Sequence, residues 1–413
     1  MRKIFILFSA CFLATQTVSA QQPNSQKLTP AQQLIANTGE DSLNSFSNRT
    51  RTVISGYGDL AYQNNFNEKT ATIGLKRAVL FVGHQFNSRI AFFSELEVED
   101  AKVSGGENGG EVSMEQAYIK FSLNPRQYIV AGLFVPRIGI TNENHLPINF
   151  NGVERPMVET YIIPSTWREL GIGFYGQSTQ LPLTYTVALL NGLNSAGFEH
   201  GTGFAGGRAE GRNASANNLA LTAAVQYFAG NWKFQVSAYA GGTTSLPKKE
   251  ADTLGLSSGT FGSPLYLGEA DIQYSNKGVS FKALYCNVSI PEANKINAVY
   301  ANNTPSGMMG FYGELGYNLL QNAKKEKWQK KQLVAFGRYE MLDMNSSVPS
   351  NGLADGTLKQ SHIVAGFSYL PIPNVVIKAD VRLISTGEAT PLLTTIPYQQ
   401  NNTFLNFGIG YSF

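Results

Sequence analysis

Three arginines in and around one long connection are the residues of this chain best suited to binding chemistry. Arg137 and Arg168 flank a stretch rich in Asn, Pro and Gly, and Arg155 lies within it. A guanidinium group is planar and donates two parallel hydrogen bonds, which matches the geometry of phosphate and carboxylate. The pattern predicts an anion-binding group, joined by Arg77 if that side chain points inward. For each arginine, the alternative is a wall charge satisfied by a neighbouring carboxylate.

Covalent catalysis has little support in the sequence. The four histidines, His84, His145, His200 and His362, lie outside any motif that pairs a base with a nucleophile. Three glycine-rich pieces, SGGENGG (104–110), GTGFAGG (201–207) and AGG (240–242), lie in predicted external loops or at strand ends. They do not connect a strand to a helix, as a phosphate-cradling loop would. Cys286 is the only cysteine beyond residue 20 and has no histidine beside it. We therefore predict a protein that is not an enzyme and that has neither a cofactor nor a metal site.

Most of the chain consists of segments in which apolar and polar residues alternate. Clear examples are WKFQVSAY (232–239) and VVIKADVRL (375–383). A side-chain period of two is typical of a strand with one apolar and one polar face. About sixteen such segments, each roughly ten to fifteen residues long, follow residue 50, near the length that a tilted strand needs to cross a bilayer. The predicted fold class is all-β.

The connections between these segments alternate between short and long. The long ones are rich in Gly, Asn and Ser and cover residues 63–69, 101–110, 138–166, 193–216, 243–262, 291–306, 343–357 and 386–400. This layout is typical of a transmembrane antiparallel β-barrel with short periplasmic turns and long extracellular loops. A large soluble antiparallel sandwich or a solenoid is the alternative, but neither gives a reason for connections to alternate in length.

The ends of the chain agree with export and with barrel closure. Residues 1–20 combine two basic residues, an apolar run and a small-residue cleavage site, which indicates a cleaved signal peptide. Residues 21–50 are polar and are interpreted as a periplasmic leader, and residues 51–413 as the barrel. The final strand ends at Phe413, and we expect it to pair with the first strand, around Thr52 to Tyr62, so that no edge remains. Phe413 is also the expected signal for the barrel assembly machinery.

The composition agrees with a wall that faces lipid on one side. Charged residues make up 15% of the chain, against about 25% in soluble domains. The formal net charge of +3 argues against nucleic acid as a partner. Inward Gly408, Gly410 and Ser412 in the last strand favour an open inner wall.

Three stretches resemble the phosphate-selective porin O and P family of outer-membrane porins. They are GLKRAVLFVGHQF (74–86), the run from Arg126 to Gly176, and AFGRYEMLDMN (335–345). The resemblance implies a sixteen-stranded barrel, commonly a trimer, in which residues 138–166, here called the third loop, fold into the lumen as a constriction. It also implies a pore lined with bases, for which the candidates are Lys76, Arg77, Arg137, Arg155, Arg168, Lys233, Lys282, Arg338, Lys378 and Arg382.

These observations together predict a porin in the outer membrane of a Gram-negative bacterium. It would allow passive diffusion of small hydrophilic solutes, with a preference for anions such as phosphate implied by the resemblance. Its expected partners are outer-membrane lipid, the assembly machinery, small anions or other small solutes, and further copies of the chain in a homotrimer. The alternative is a barrel that acts in ligand binding or adhesion through its long external loops.

Overall fold

The computed structural model describes residues 51–100, 110–390 except 324, 326, 327 and 329, and 398–413. The predicted signal peptide (1–20) and leader (21–50) lie outside these ranges. The described residues form sixteen strands: β1 (Arg51–Asn65), β2 (Thr70–Gln85), β3 (Ile90–Glu99), β4 (Val112–Asn124), β5 (Gln127–Phe134), β6 (Glu169–Gln177), β7 (Leu183–Asn191), β8 (Leu219–Ala229), β9 (Trp232–Gly241), β10 (Leu265–Asn276), β11 (Val279–Ser289), β12 (Gly307–Asn318), β13 (Gln332–Ser347), β14 (Lys359–Ile372), β15 (Val375–Thr386) and β16 (Asn401–Ser412).

The strands form one closed barrel in which each strand pairs antiparallel with its neighbours in sequence. Closure is made by β1 and β16, with Tyr57 opposite Ser412. The chain end continues this ladder, because the Phe413 amide donates to the Gly56 carbonyl at 2.9 Å and the Gly56 amide donates back at 3.1 Å. The predicted sixteen-stranded, all-β barrel is confirmed, and its sheet has no open edge.

The two faces of the wall differ as the alternation predicts. In β9, Val236 points outward and is 63% exposed, whereas its neighbours Gln235 and Ser237 point inward and are each 2% exposed. In β15, outward Ile377 alternates in the same way with inward Lys378. At these positions an apolar side chain faces outward and a polar one faces inward, which is the reverse of a soluble globule.

Two connections differ in length from the prediction. The first predicted long loop, residues 63–69, is a tight turn of residues 66–69, because β1 and β2 extend and pair as far as Asn65 and Thr70. The sequence also predicts a short turn around residues 321–327, but these residues lie in a longer connection, from 319 to 331. Short helices occur in the longer connections: α1 (Lys248–Leu254), α2 (Ala293–Tyr300), a π-helical turn (Val158–Ile162) and three 3₁₀ turns (Ser195–Gly197, Ala205–Gly207, Gly356–Leu358). Among the described residues, no helix is long and apolar enough to cross a membrane.

The apolar core lies inside the barrel, where the β5–β6 connection packs against the inner wall. Trp167 is fully buried, and its ring contacts the rings of Phe204 and Tyr239. On β16, a Cβ atom added at Gly410 would lie 2.5 Å from Pro147 Cβ, and one at Gly408 would lie 3.1 Å from Val153 Cγ1. The expectation of an open wall at these glycines is therefore wrong, because the absent side chains let the third loop approach the β16 backbone.

Candidate functional site

The third loop is hydrogen-bonded to inward-facing residues of several strands. The Val153 amide donates to Asp380 Oδ2 on β15 at 2.6 Å, and Gln235 Nε2 on β9 donates to the Gly139 carbonyl at 2.9 Å. From β11, Lys282 Nζ donates to the Asn149 carbonyl at 3.0 Å. Polar wall side chains thus pair with the loop's backbone groups, which the barrel interior would otherwise bury without partners.

Glu159, near the end of the third loop, is hydrogen-bonded to the beginning of the loop and to the barrel wall. Its Oε1 accepts hydrogen bonds from the amides of Ile140 at 2.6 Å and Thr141 at 2.7 Å. Its Oε2 accepts a hydrogen bond of 2.7 Å from the Tyr312 hydroxyl on β12. Burial raises the pKa of Glu159, although these donors oppose the shift. One fully buried carboxyl group therefore fastens two segments of the loop to each other and to the wall.

A second set of contacts centres on Arg338 of β13. Its guanidinium group lies 2.8 Å from Glu340 Oε1 and 3.2 Å from Glu314 Oε2, and its side chain is fully buried. The same group donates to the carbonyls of Asn151 and Glu154 in the third loop, at 3.2 and 3.3 Å. Arg338 thus uses its fork of donors to join two wall carboxylates to the loop backbone.

The other predicted arginines also have partners close by. Each of four forms an ion pair: Arg77 with Asp59 (2.8 Å), Arg137 with Glu143 (2.6 Å), Arg168 with Glu210 (3.1 Å) and Arg382 with Glu154 (2.7 Å). Arg155 donates to the Ser165 carbonyl at 3.0 Å. The geometry brings the arginines onto or beside the third loop, where most of them are neutralised by carboxylates.

The predicted lysines have different surroundings. Lys378 lies over the ring of Phe150, with Nζ 3.7 Å from the ring centroid, and Lys282 contacts the loop as described above. Lys233 points inward on β9 and is partly exposed. Lys76 does not join this group: the register between β1 and β2 shifts there, and the side chain of Lys76 is exposed while that of Arg77 is buried. A β-bulge, which the alternation did not reveal, accounts for the difference.

The structure also places His145 of the third loop beside two wall carboxylates, an arrangement that the sequence did not indicate. His145 Nε2 lies 3.6 Å from Glu115 Oε2 on β4 and 3.9 Å from Glu95 Oε2 on β3. Burial alone would lower the pKa of His145, but the carboxylates outweigh it and raise the pKa to about 9. The Glu-rich alternation of β3 was the only available signal, since the partner histidine comes from a distant loop.

Several charged side chains beside the loop remain in contact with water. The side chain of Glu154 is 34% exposed even though it pairs with Arg382. Arg155 and Lys282 are also partly exposed. An interior of this kind can select solutes by size and charge, and it requires no covalent chemistry.

Comparison with solved structures places this fold among outer-membrane barrels. The channel DcaP of Acinetobacter baumannii is 12% identical, with a TM-score of 0.51 over 94% of this chain and 100% of that one. OprB of Pseudomonas putida is 10% identical, with a TM-score of 0.53 over 93% and 96%. The trimer form of OmpT, an outer membrane protein of Vibrio cholerae, is 11% identical, with a TM-score of 0.50 over 88% and 99%. At these identities the likeness concerns the fold alone.

Sequence comparison gives a nearer relative. No protein-family profile matches the chain. A protein of Aquifex aeolicus, described as uncharacterized, is 33% identical over 340 residues, which cover 79% of this chain and 74% of that protein. The chain therefore belongs to the same family as this Aquifex aeolicus protein.

Proposed function

We propose that the protein is a porin for passive diffusion of small hydrophilic solutes, in the outer membrane of a Gram-negative bacterium, with the third loop as its constriction. The observation that carries the proposal is a closed barrel whose inner wall holds this loop through polar side chains while Glu154, Arg155 and Lys282 remain partly exposed. A sixteen-stranded barrel is wide enough to leave an aqueous passage beside an inserted loop. By family resemblance, we further propose that three copies assemble into a trimer.

Membrane placement is supported by the outward face of the barrel. Large apolar side chains with exposures of 40% or more recur on strands all around it, for example Ile54, Leu80, Ile172, Leu221, Val236, Leu315, Ile363 and Ile377. Such a continuous apolar band would be a severe liability in water. In a bilayer it is the surface that faces the acyl chains.

Val236→Lys tests this placement. Because Val236 lies in the middle of β9 and faces outward, a lysine there should lower the free energy of unfolding in phospholipid vesicles by about 2–4 kcal/mol. The matched control is Leu254→Lys, which changes an exposed apolar residue of α1 outside the strands and should have little effect. Equal stability of the Val236→Lys variant and the unchanged protein would contradict a lipid-facing position.

The proposal also includes a preference of the channel for anions over cations. Five of the six candidate arginines, all except Arg155, pair with carboxylates, which cancels much of their attraction for a passing anion. The remaining contribution would come chiefly from inward lysines such as Lys233 and Lys282. We therefore propose a modest preference for anions, with phosphate as one solute among several.

Single-channel recording of the purified protein in a planar bilayer tests the porin proposal. We expect discrete open steps and, under a KCl gradient, a small reversal potential of the sign that anion preference gives. A Lys233→Gln, Lys282→Gln double variant should move that potential toward cations, because two positive charges leave the passage. Absence of steps from correctly folded protein would overturn the porin proposal and direct attention to ligand binding by the long loops.

A further inference from the structure

We propose that Glu95, Glu115 and His145 form a binding site for one divalent transition-metal ion, with Zn²⁺ as the best-matched example. The two carboxylates come from adjacent strands, β3 and β4, and the imidazole comes from the third loop. An ion at this position would fasten the loop to the barrel wall. The site itself does not depend on the channel function proposed above, because it rests only on these three side chains and their surroundings.

The separations between the candidate ligand atoms fit a shared ion. One ligand atom from each of the three residues lies within 4.8 Å of the others, and His145 Nε2 is 3.6 Å from Glu115 and 3.9 Å from Glu95. Tetrahedral ligands at typical Zn–N and Zn–O distances are about 3.4 Å apart. The two separations from His145 Nε2 need to close by only about 0.2 and 0.5 Å to reach that value, and both are longer than the distance of about 2.7–2.9 Å in a direct charge-assisted hydrogen bond.

The orientation of the imidazole is also that of a metal ligand. His145 Nδ1 lies 2.9 Å from the Asn142 carbonyl, so a proton on Nδ1 is held there and Nε2 faces the carboxylates, where a metal ion would displace the Nε2 proton and take its lone pair. This backbone contact is the usual outer partner of a metal-binding histidine. Among the described residues, His145 Nε2 and Glu95 Oε1 have no hydrogen-bond partner, and both side chains are only 1% exposed.

Further hydrogen bonds hold the two carboxylates in place. The Tyr57 hydroxyl donates to Glu115 Oε2 at 2.9 Å, and Gln116 Nε2 donates to Glu95 Oε2 at 2.8 Å. Each of these two hydrogen bonds uses one lone pair of its carboxylate and leaves the others for another partner. The carboxylates are therefore positioned before an ion arrives, as outer-shell partners do in known metal sites.

The local charge balance favours a cation. Glu97 follows Glu95 by two residues on β3 and is also buried. Its carboxyl group and that of Glu115 repel each other electrostatically. The nearby guanidinium of Arg77 already pairs with Asp59 at 2.8 Å. Arg77 is shared between Asp59 and the carboxylates of Glu97 and Glu115, and His145 is the other cation beside Glu95 and Glu115, so the acidic groups in this buried region outnumber the cations. Uncompensated buried charge is costly, and a divalent ion would remove most of that cost.

The ligand set also limits which ion would bind. Imidazole nitrogen with carboxylate oxygen suits Zn²⁺ and neighbouring transition metals, whereas Ca²⁺ and Mg²⁺ prefer sites made wholly of oxygen. The competing account is a second proton on the imidazole, which would make His145 a simple ion-pair partner. In that case the chain would bind no metal at this position, so the two accounts give different results.

The experiment is a calorimetric titration of the folded mature chain in detergent, stripped with a chelator, with Zn²⁺ alone. We expect one saturable equivalent, with Ca²⁺ at least about 100-fold weaker. His145→Ala should weaken Zn²⁺ binding by at least about 100-fold, and the isosteric Glu115→Gln by at least about tenfold. His200→Ala is the matched control, since that histidine pairs with Asp355 elsewhere, and it should bind as the unchanged protein does.

Two results would overturn the proposal. One is the absence of saturable Zn²⁺ binding by the unchanged, correctly folded chain. The other is Zn²⁺ affinity that is the same with and without the imidazole of His145. Folding of every variant is checked by the mobility difference between heated and unheated barrel in gel electrophoresis. Because binding is measured in detergent without ion flow, failure here and failure of the porin proposal are distinguishable.

Discussion

Arg338→Met is expected to lower the free energy of unfolding of the barrel by about 3–5 kcal/mol, because it leaves buried carboxylates without their countercharge. Glu340 and Glu314 both lie within 3.2 Å of this guanidinium group. The substitution also removes two donors from the carbonyls of Asn151 and Glu154. The measurement is urea-induced unfolding in phospholipid vesicles, followed by tryptophan fluorescence.

A combined variant separates the charge effect from lost packing. Arg338→Met with Glu314→Gln and Glu340→Gln removes the two carboxylate charges together with the guanidinium. It should recover a large part of the lost stability, since whole buried ion pairs can often be replaced at little cost. Glu340 also accepts a hydrogen bond from the Met157 amide of the third loop, and glutamine retains a carbonyl oxygen for it. Equal losses in the single and combined variants would contradict the charge explanation.

The fold was predictable because it depends on a local pattern. Alternation of apolar and polar residues has the period of a strand, and it assigned residues such as Val236 and Gln235 to opposite faces without knowledge of the partner strands. Closure of the barrel was predicted from the alternation in the final strand, and that strand does pair with β1. The bulge at Lys76 and the extension of β1 to Asn65 were missed, since both depend on how two strands pair rather than on either strand alone.

The candidate site was predictable only in part, because its contacts join residues that are far apart in sequence. Residue type indicated Arg338 and Arg382 as important, but it could not show that Glu314 and Glu154 neutralise them. The position of His145 beside Glu95 depends on the path of the third loop through the interior. That path is set by tertiary hydrogen bonds, for which periodicity carries no signal.

Removal of the third loop is expected to raise single-channel conductance several-fold. In this variant, residues 144–162 are replaced by Gly-Ser-Gly, which leaves the Arg137–Glu143 ion pair and Trp167 in place. The replaced residues occupy interior volume between β16, where Pro147 lies against Gly410, and β12, where Glu159 accepts a hydrogen bond from the Tyr312 hydroxyl. Conductance of a water-filled pore increases with its open cross-section, so clearing this volume should increase the current.

The barrel should remain closed without this loop, because the pairing of β1 with β16 and of every other neighbouring pair is made by strand backbones alone. Deletion of α1 (Lys248–Leu254) is the matched control. This helix lies in the β9–β10 connection and is exposed except at Ala251, so its loss should leave conductance unchanged. A folded loop-deletion variant with unchanged conductance would show that the third loop does not narrow the passage. A rise confined to that variant would identify the loop as the constriction, and the charges it carries would then be the first to alter for a change in selectivity.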